Sequence, residues 1–484
     1  METNLKAAGL GRKIRALRQA EGLTQAAMAA RLGISSSYLN LIENDRRPLG
    51  AGLLLTLART FNVDLRTFAL GEDAQLVSDL AEAFGDPLFG ERRLDERELR
   101  EFVSSSPAIA RSVVRLHHAY TDARASAESI AAEVVDRQDL SGVDRAGLAA
   151  EEVSDLVQRH VNHFPELEAE ADRIWKDAKL EDHDFFEGMA HYMERRHSVR
   201  VRVLRLGEMG GAVRRFDPER RELDLSEVLR RGSRGFQLAH QAALLTCPDT
   251  LDRIAQDEQL TSPESRALCR VALANYFAGA LLMPYDAFYR AAEEERYDTD
   301  LLEHRFRANF EQICHRLTTL NRSGARGIPF HMVRVDIAGN ISKKFSATGL
   351  RFPRFGGLCP LWNVHAAFLQ PNVIRAQLDR FPDGTLYFSF ARTIRKHRGG
   401  YHTPEVLYSV GLGCDVESAK RLVYADGFDL TNPQAAAPVG ITCRLCERLD
   451  CRARAFPSIY QPLRVDENLR GVSFFARPGG KGNE

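Results

Sequence analysis

The sequence predicts a multidomain α+β protein: an all-α helix-turn-helix head, a helical middle carrying a small α+β domain, and a β-rich C-terminal domain. Three observations predict it. Apolar residues recur at helical spacing through the first 195 positions and again between 235 and 283. Strict alternation replaces that spacing at Ser198–Arg205 and in three stretches from His331 onward. Finally, Cys443, Cys446 and Cys451 stand in the run Cys-Arg-Leu-Cys-Glu-Arg-Leu-Asp-Cys, among charged residues rather than on an apolar face. A chain of 484 residues suits about three domains. The pattern changes divide it into a head (1–70), a helical linker or dimerisation region (71–195), the small α+β domain (196–325) and a C-terminal sensor domain (326–484).

Hydrophobic content of 44% and charged content of 27% belong to an ordinary globular protein with material for several cores. Net charge is zero, so affinity for nucleic acid has to be sought locally. The N-terminus lacks the charged start and apolar stretch of a secretory signal. The longest apolar run, Val271 to Pro284, is too short to span a bilayer and contains Asn275, so no membrane partner is expected. Eight cysteines without an even framework suit a reducing cytoplasm. Cys247, Cys269 and Cys314 lie in helical patterns and read as plain buried thiols.

In the head, Gly11–Ala20 places Ile14 and Leu17 on one face, and Glu21-Gly22 ends that helix. Thr24 caps a second helix, Gln25–Leu32, and Gly33 makes the turn, where a positive φ suits glycine. Ser35 opens a third helix with Leu39 and Ile42 inward and Ser36, Ser37, Asn40 and Glu43 outward. Lys6, Arg12, Lys13, Arg15, Arg18, Arg31, Arg46 and Arg47 outnumber Glu2, Glu21, Glu43 and Asp45, as phosphate neutralisation requires. The run Thr24-Gln-x-x-x-Ala-x-x-x-Gly-Ile-Ser-x-Ser-x-Leu-Asn-x-Ile-Glu43 resembles the Cro and phage-repressor class of DNA-binding domain. That resemblance implies a double-stranded DNA operator as partner. It gives Gln25 a phosphate contact, Ser35, Ser36, Ser37 and Asn40 base contacts, and Arg46 and Arg47 the backbone.

Residues 72 to 195 read as helices broken at Gly85-Asp86-Pro87, Ser104–Pro107 and Ser141-Gly142. His160, His163, His191 and His197 show no ligand spacing. Ser198–Arg205 reads as a strand, and Ala212–Phe216 with Arg221–Leu225 as a hairpin. Helices Gly235–Leu245 and Ser265–Met283 follow. Phe236-Gln-Leu-Ala-His-Gln-Ala-Ala-Leu244 and Ala274-Asn-Tyr-Phe-Ala-Gly-Ala-Leu-Leu-Met-Pro284 resemble the ImmA/IrrE class of zinc metallopeptidase, a zincin-like α+β domain. A zincin helix needs His-Glu-x-x-His. Here His240 stands alone: Gln241 occupies the place of the base and Leu244 that of the second ligand. Peptidase activity is therefore rejected, and the vacated scaffold is left as a pocket for a small ligand.

From His331 onward, His331–Ile337, Gly384–Arg392 and Val406–Leu412 alternate as half-buried antiparallel strands. Thiolates at the spacing of Cys443, Cys446 and Cys451 select zinc or an iron–sulfur cluster, and both normally want a fourth ligand. The leading candidate is Cys359, which Gly356-Gly357 and Pro360 leave accessible. Arg392, Arg395, Lys396, His397 and Arg398 form a cationic stretch able to meet coenzyme A phosphates, although solvated strand-end charges are the commoner explanation.

Repressor-like head, degenerate metallopeptidase-like middle, Gly-Gly-Leu-Cys-Pro-Leu-Trp-Asn-Val-His and the cysteine run together resemble the short-chain fatty acyl-CoA regulators. These are bacterial transcription factors of acetate, propionate and methylcitrate metabolism. The resemblance implies a DNA-binding, non-enzymatic regulator, a homodimer or higher homo-oligomer, with an acyl-CoA effector. It also implies, as in some members, a 4Fe-4S iron–sulfur cluster on the cysteines equivalent to Cys359, Cys443, Cys446 and Cys451. The competing readings are a metallopeptidase that cleaves a repressor and a zinc-clipped DNA-binding protein without sensing.

Overall fold

The computed structural model describes residues 11, 14–15, 17–18, 23–44, 46–47, 50–61, 72–86, 89, 94–133, 143–180, 184–353, 357–396, 401–448, 450–458 and 473. The stop at Glu21-Gly22, the cations Lys6, Arg12, Lys13, His397 and Arg398, Asp45, and the break at Ser141-Gly142 lie outside them. The chain forms two compact units, residues 1–135 and 136–484.

The first unit opens with α1 (Gln25–Leu32), α2 (Ser36–Glu43) and α3 (Ala51–Thr60). The Thr24 hydroxyl accepts from Ala27 N at 3.2 Å. Gly33 takes φ 68 and closes α1 by donating to the carbonyls of Ala29 and Ala30. The Ser35 hydroxyl then caps α2 from Tyr38 N at 3.1 Å. Ile14, Met28, Leu32, Leu39, Ile42 and Leu57 fill the core between these helices. One expectation is overturned: Glu43 faces inward, 1% exposed. Three polar side chains reach its carboxylate and make its burial tolerable. Beyond the head, α4 (Glu72–Phe84), α5 (Glu96–Ser105) and α6 (Pro107–Glu133) pack around Leu80, Leu99 and Val103. Two of the expected breaks separate them.

Residues 71–195, read as one region, divide between the units. In the second unit, α7 (Val143–Arg159), α8 (Pro165–Asp177) and α9 (Phe185–His197) share a core with the domain that follows. That domain holds a three-stranded sheet, order β1-β3-β2, made of β1 (Arg200–Leu204), β2 (Arg214–Asp217) and β3 (Glu222–Ser226). The expected hairpin is the antiparallel β2–β3 pair, and β1 joins β3 in parallel. Against it pack α10 (Arg231–Thr246), α11 (Pro248–Ala255) and α12 (Pro263–Leu282). Among the described residues no single helix is long and apolar enough to cross a membrane; the bent pair of α12 and α13 (Tyr285–Glu294) passes on composition, but both bury most of their apolar residues in the core.

After α14 (Thr299–Phe306), α15 (Phe310–Leu317) and the short ribbon β4 (Asn321–Arg322) and β5 (Ala325–Arg326), a five-stranded antiparallel sheet closes the fold. Its order is β7-β6-β10-β9-β8, from β6 (His331–Asp336), β7 (Ile341–Ser346), β8 (Arg375–Arg380), β9 (Leu386–Lys396) and β10 (Val406–Asp415). The three expected strands occupy its centre. The edge strands β7 and β8 were not foreseen, because Ile-Ser-Lys-Lys-Phe-Ser and Arg-Ala-Gln-Leu-Asp-Arg lack sustained apolar alternation. Charge on a sheet edge blocks pairing with another chain, so such strands hide from hydropathy.

Candidate functional site

The head presents the start of α2 to solvent. Ser35, Ser36, Ser37 and Asn40 are exposed on it, and Arg46 and Arg47 are exposed just beyond its end. Ser35 is engaged as the helix cap. Gln25 bridges the two helices rather than standing free: its Nε2 donates to Glu43 Oε2 at 2.7 Å, and its Oε1 accepts from Asn40 Nδ2 at 3.3 Å. Arg47 lies over the Tyr38 ring, 5.1 Å from its centre. Sequence reasoning missed two supports of this surface. Arg18 Nε meets Glu43 Oε1 at 2.6 Å, and Arg15 donates to Asn44 Oδ1 at 2.6 Å. Burial pushes the Glu43 carboxyl upward, but the hydrogen bonds from Arg18 and Gln25 outweigh it and hold it below the usual range. An ionised Glu43 thus braces α2 from beneath.

In the zincin-like domain His240 is 3% exposed on α10, and its Nδ1 lies 2.9 Å from Asn275 Oδ1 on α12. Burial, then the nearby Arg214 charge, lowers its pKa to about 4, so the ring is neutral at neutral pH. Gln241 is buried beside it and Leu244 is half-buried core. Neither Gln241 nor Leu244 offers the carboxylate base or second imidazole that His-Glu-x-x-His requires at these places.

The four cysteines singled out in sequence do meet. Cys359, Cys443, Cys446 and Cys451 line one cleft of about 280 Å³, its open mouth included, together with Gly440 and Arg454. Cys359 reaches it from the loop before α16 (Asn363–Ala366), held where its N–H donates to Ile441 O at 3.0 Å. Cys446 N donates to Cys443 O at 3.4 Å, and Arg454 N to Cys451 O at 3.2 Å, which folds the cysteine run back on itself. All four are free thiols. Burial raises Cys359 to about 11, opposed by the N–H groups of Gly440 and Leu361. Burial likewise raises Cys446, opposed by the Arg448 N–H and the Arg454 charge. Ala455 N donates to Cys443 Sγ at 3.4 Å. Soft donors wrapped by N–H groups suit a thiolate-bound metal or cluster, whose arrival displaces the thiol protons. Among the described residues, no group of three or more His, Cys, Asp and Glu is arranged to hold one metal ion as it stands.

The cationic stretch on β9 is engaged internally. Arg392 pairs with Asp300 at 2.5 Å and with Glu303, and Arg395 pairs with Glu405. Lys396 meets Glu311 at 2.6 Å, where Arg334 and Lys343 also converge. All three β9 cations are paired with carboxylates, Arg392 largely buried and Arg395 more than half exposed.

Comparison with known proteins adds the context. Residues 14–68 match the helix-turn-helix family, 194–318 the IrrE N-terminal-like domain, and 319–475 the short-chain fatty acyl coenzyme A regulator, C-terminal. The chain is 40% identical over 458 residues to the HTH-type transcriptional regulator PrpR of Mycobacterium tuberculosis, covering 95% of this chain and 93% of that one. It is 39% identical over 468 residues to RamB, another HTH-type transcriptional regulator of that species, covering 96% and 98%. A propionyl-CoA carboxylase regulator of Cereibacter sphaeroides is 39% identical over 465 residues, covering 96% and 97%. A solved Mycobacterium tuberculosis transcriptional regulator superposes with a TM-score of 0.64 at 40% identity, over 68% of this chain and 99% of that one.

Proposed function

The chain belongs to the short-chain fatty acyl-CoA regulator family, and from that premise we propose a helix-turn-helix transcriptional regulator of acetate, propionate and methylcitrate metabolism. Its partner is an operator in double-stranded DNA, contacted through Ser36, Ser37 and Asn40 on α2 with Arg46 and Arg47 on the backbone. Its effector is a short-chain acyl-CoA, and its DNA-bound form a cytoplasmic homodimer or higher homo-oligomer. The effector shifts DNA affinity only as far as it binds one state of the regulator better than the other.

One observation carries the sensory half: Cys359, from a distant loop, lines the same cleft as Cys443, Cys446 and Cys451. Four cysteines from two separate chain segments around one cleft, in a chain of this family, support a 4Fe-4S cluster on Cys359, Cys443, Cys446 and Cys451, with a four-thiolate zinc clip as the alternative. Such a cluster would make the C-terminal domain responsive to redox state or iron supply.

Anaerobic purification followed by metal and sulfide analysis tests the reading, coupled to operator titrations with and without propionyl-CoA. We expect a brown protein with iron and sulfide whose operator affinity changes with the acyl-CoA. Colourless protein holding one zinc would make the centre a clip. Operator affinity blind to the acyl-CoA would remove that effector.

A further inference from the structure

We propose that Arg454 is the positioning residue of the four-cysteine centre, its guanidinium fixing the loop that carries three of the thiols and placing a buried cation beside the ligands. The proposal rests on the reading of that cleft as a cluster site. Arg454 is 4% exposed. Its Nη1 donates to Cys443 O at 2.6 Å and to Phe456 O at 3.2 Å. Its Nη2 donates to Cys446 O at 2.9 Å and also to Arg448 O. One guanidinium thus gathers the carbonyls of the two ligand residues Cys443 and Cys446 and those of Arg448 and Phe456. Ser473 Oγ, donating to Arg454 O at 2.6 Å, holds its main chain from far along the sequence.

The charge is the informative part. Among the described residues Arg454 contacts carbonyls and no carboxylate, and its buried Nε has no partner. A buried cation without a counter-charge is strongly unfavourable. The groups in the same cleft able to carry negative charge are the cysteines, which four-fold ligation deprotonates. Their thiolates leave the loaded centre net negative, so the cation is balanced when the site is filled. The guanidinium is placed for the occupied state.

The test compares full-length wild type, R454K, R454Q and R454M, purified anaerobically. It measures iron and sulfide per chain, iron retention against a chelator, and the midpoint potential by spectroscopic titration. R454K should keep the wild-type potential. R454Q and R454M should release iron about 10- to 100-fold more readily. Their residual cluster should titrate at a lower potential, since the more negative reduced state has lost its cation. Wild-type retention and potential in R454M or R454Q would overturn the proposal. Should neither neutral variant fold, R454K decides: a folded lysine variant with a lowered potential overturns it, and an unchanged one supports it. Wild-type protein without iron or sulfide defeats the cluster reading instead; the chelator assay repeated with zinc then decides Arg454.

Discussion

Glu168 on α8 receives Arg316 on α15 in a two-point ion pair deep inside the second unit. Nη1 and Nη2 approach the two carboxylate oxygens at 2.6 and 2.9 Å, with the arginine side chain 1% exposed. Tyr276 of α12 donates to the same carboxylate at 2.6 Å, and Arg316 Nε donates to Met283 O at 2.9 Å. Three helices are thereby tied to one charge pair. This is one reason why residues 143–197 fold with the zincin-like domain rather than as a separate linker.

Replacing Glu168 by Gln leaves a buried guanidinium unbalanced, and the expected cost is about 3–5 kcal/mol of second-unit stability in denaturant titrations. Burial raises the Glu168 carboxyl, but the Arg316 charge and hydrogen bonds overcome it and hold the pKa below its usual value. Its stabilisation is therefore complete above the unfolded carboxylate value and is lost as pH falls through the depressed folded value. Glu168→Gln should flatten that acid limb. An unaltered acid profile would show that the pair is not ionised in the fold.

The head makes the same point on a smaller scale. Glu43→Ala strands Arg18, whose side chain is 15% exposed, and leaves Gln25 with one of its two hydrogen bonds to α2. About 3 kcal/mol of head stability should be lost, and operator affinity with it. Burial raises Glu43 and the Arg18 and Gln25 hydrogen bonds lower it further, so the wild-type head should weaken as pH drops through that lowered value. Thermal melts of Glu43→Ala that match wild type would remove the brace.

At Glu43 periodicity and charge point in opposite directions. Leu39, Ile42 and Glu43 fall at i, i+3 and i+4, so spacing alone puts Glu43 on the buried face; its charge argued otherwise, and the partner Arg18 stands on a different helix. The central strands β6, β9 and β10 carry the buried apolar residues that make them legible, while the edge strands β7 and β8 keep more polar side chains. Cys359 was within reach because glycine and proline flank it. Arg454 was not: nothing in Cys-Arg-Ala-Arg-Ala marks the second arginine as buried, and only the folded loop brings the carbonyls to it.

Ser36→Ala with Ser37→Ala removes two exposed hydroxyls that face solvent at the start of α2. Stability should stay within about 0.5 kcal/mol of wild type. Operator affinity should fall by about 1–3 kcal/mol, with specificity relaxed at the affected base pairs. Arg46→Ala or Arg47→Ala should instead weaken all sequences alike and lower the salt slope by about 1 each. Gel-shift titrations across salt separate the two behaviours, and unchanged affinity in the serine variant would remove these hydroxyls from the recognition surface.

Gly440 supplies a graded test of the cysteine cleft. A Cβ at that position would stand 2.9 Å from Cys446 Sγ, so Gly440→Ala must push the sulfur or its loop aside without deleting a ligand. Cys446→Ser deletes the ligand itself. If the four sulfurs share one group, Cys446→Ser should lose nearly all bound metal, and Gly440→Ala should keep it but release it faster to a chelator. Second-shell disturbance of this kind costs about 10- to 100-fold in affinity. Cys247→Ala is the control, since that thiol is buried against α10 with its Sγ 3.3 Å from Ala243 O and does not line the cleft. The head should retain its melting behaviour in all three, because it belongs to the other compact unit. Full metal content in Cys446→Ser would refute the shared centre, and metal loss in Cys247→Ala would place the group elsewhere.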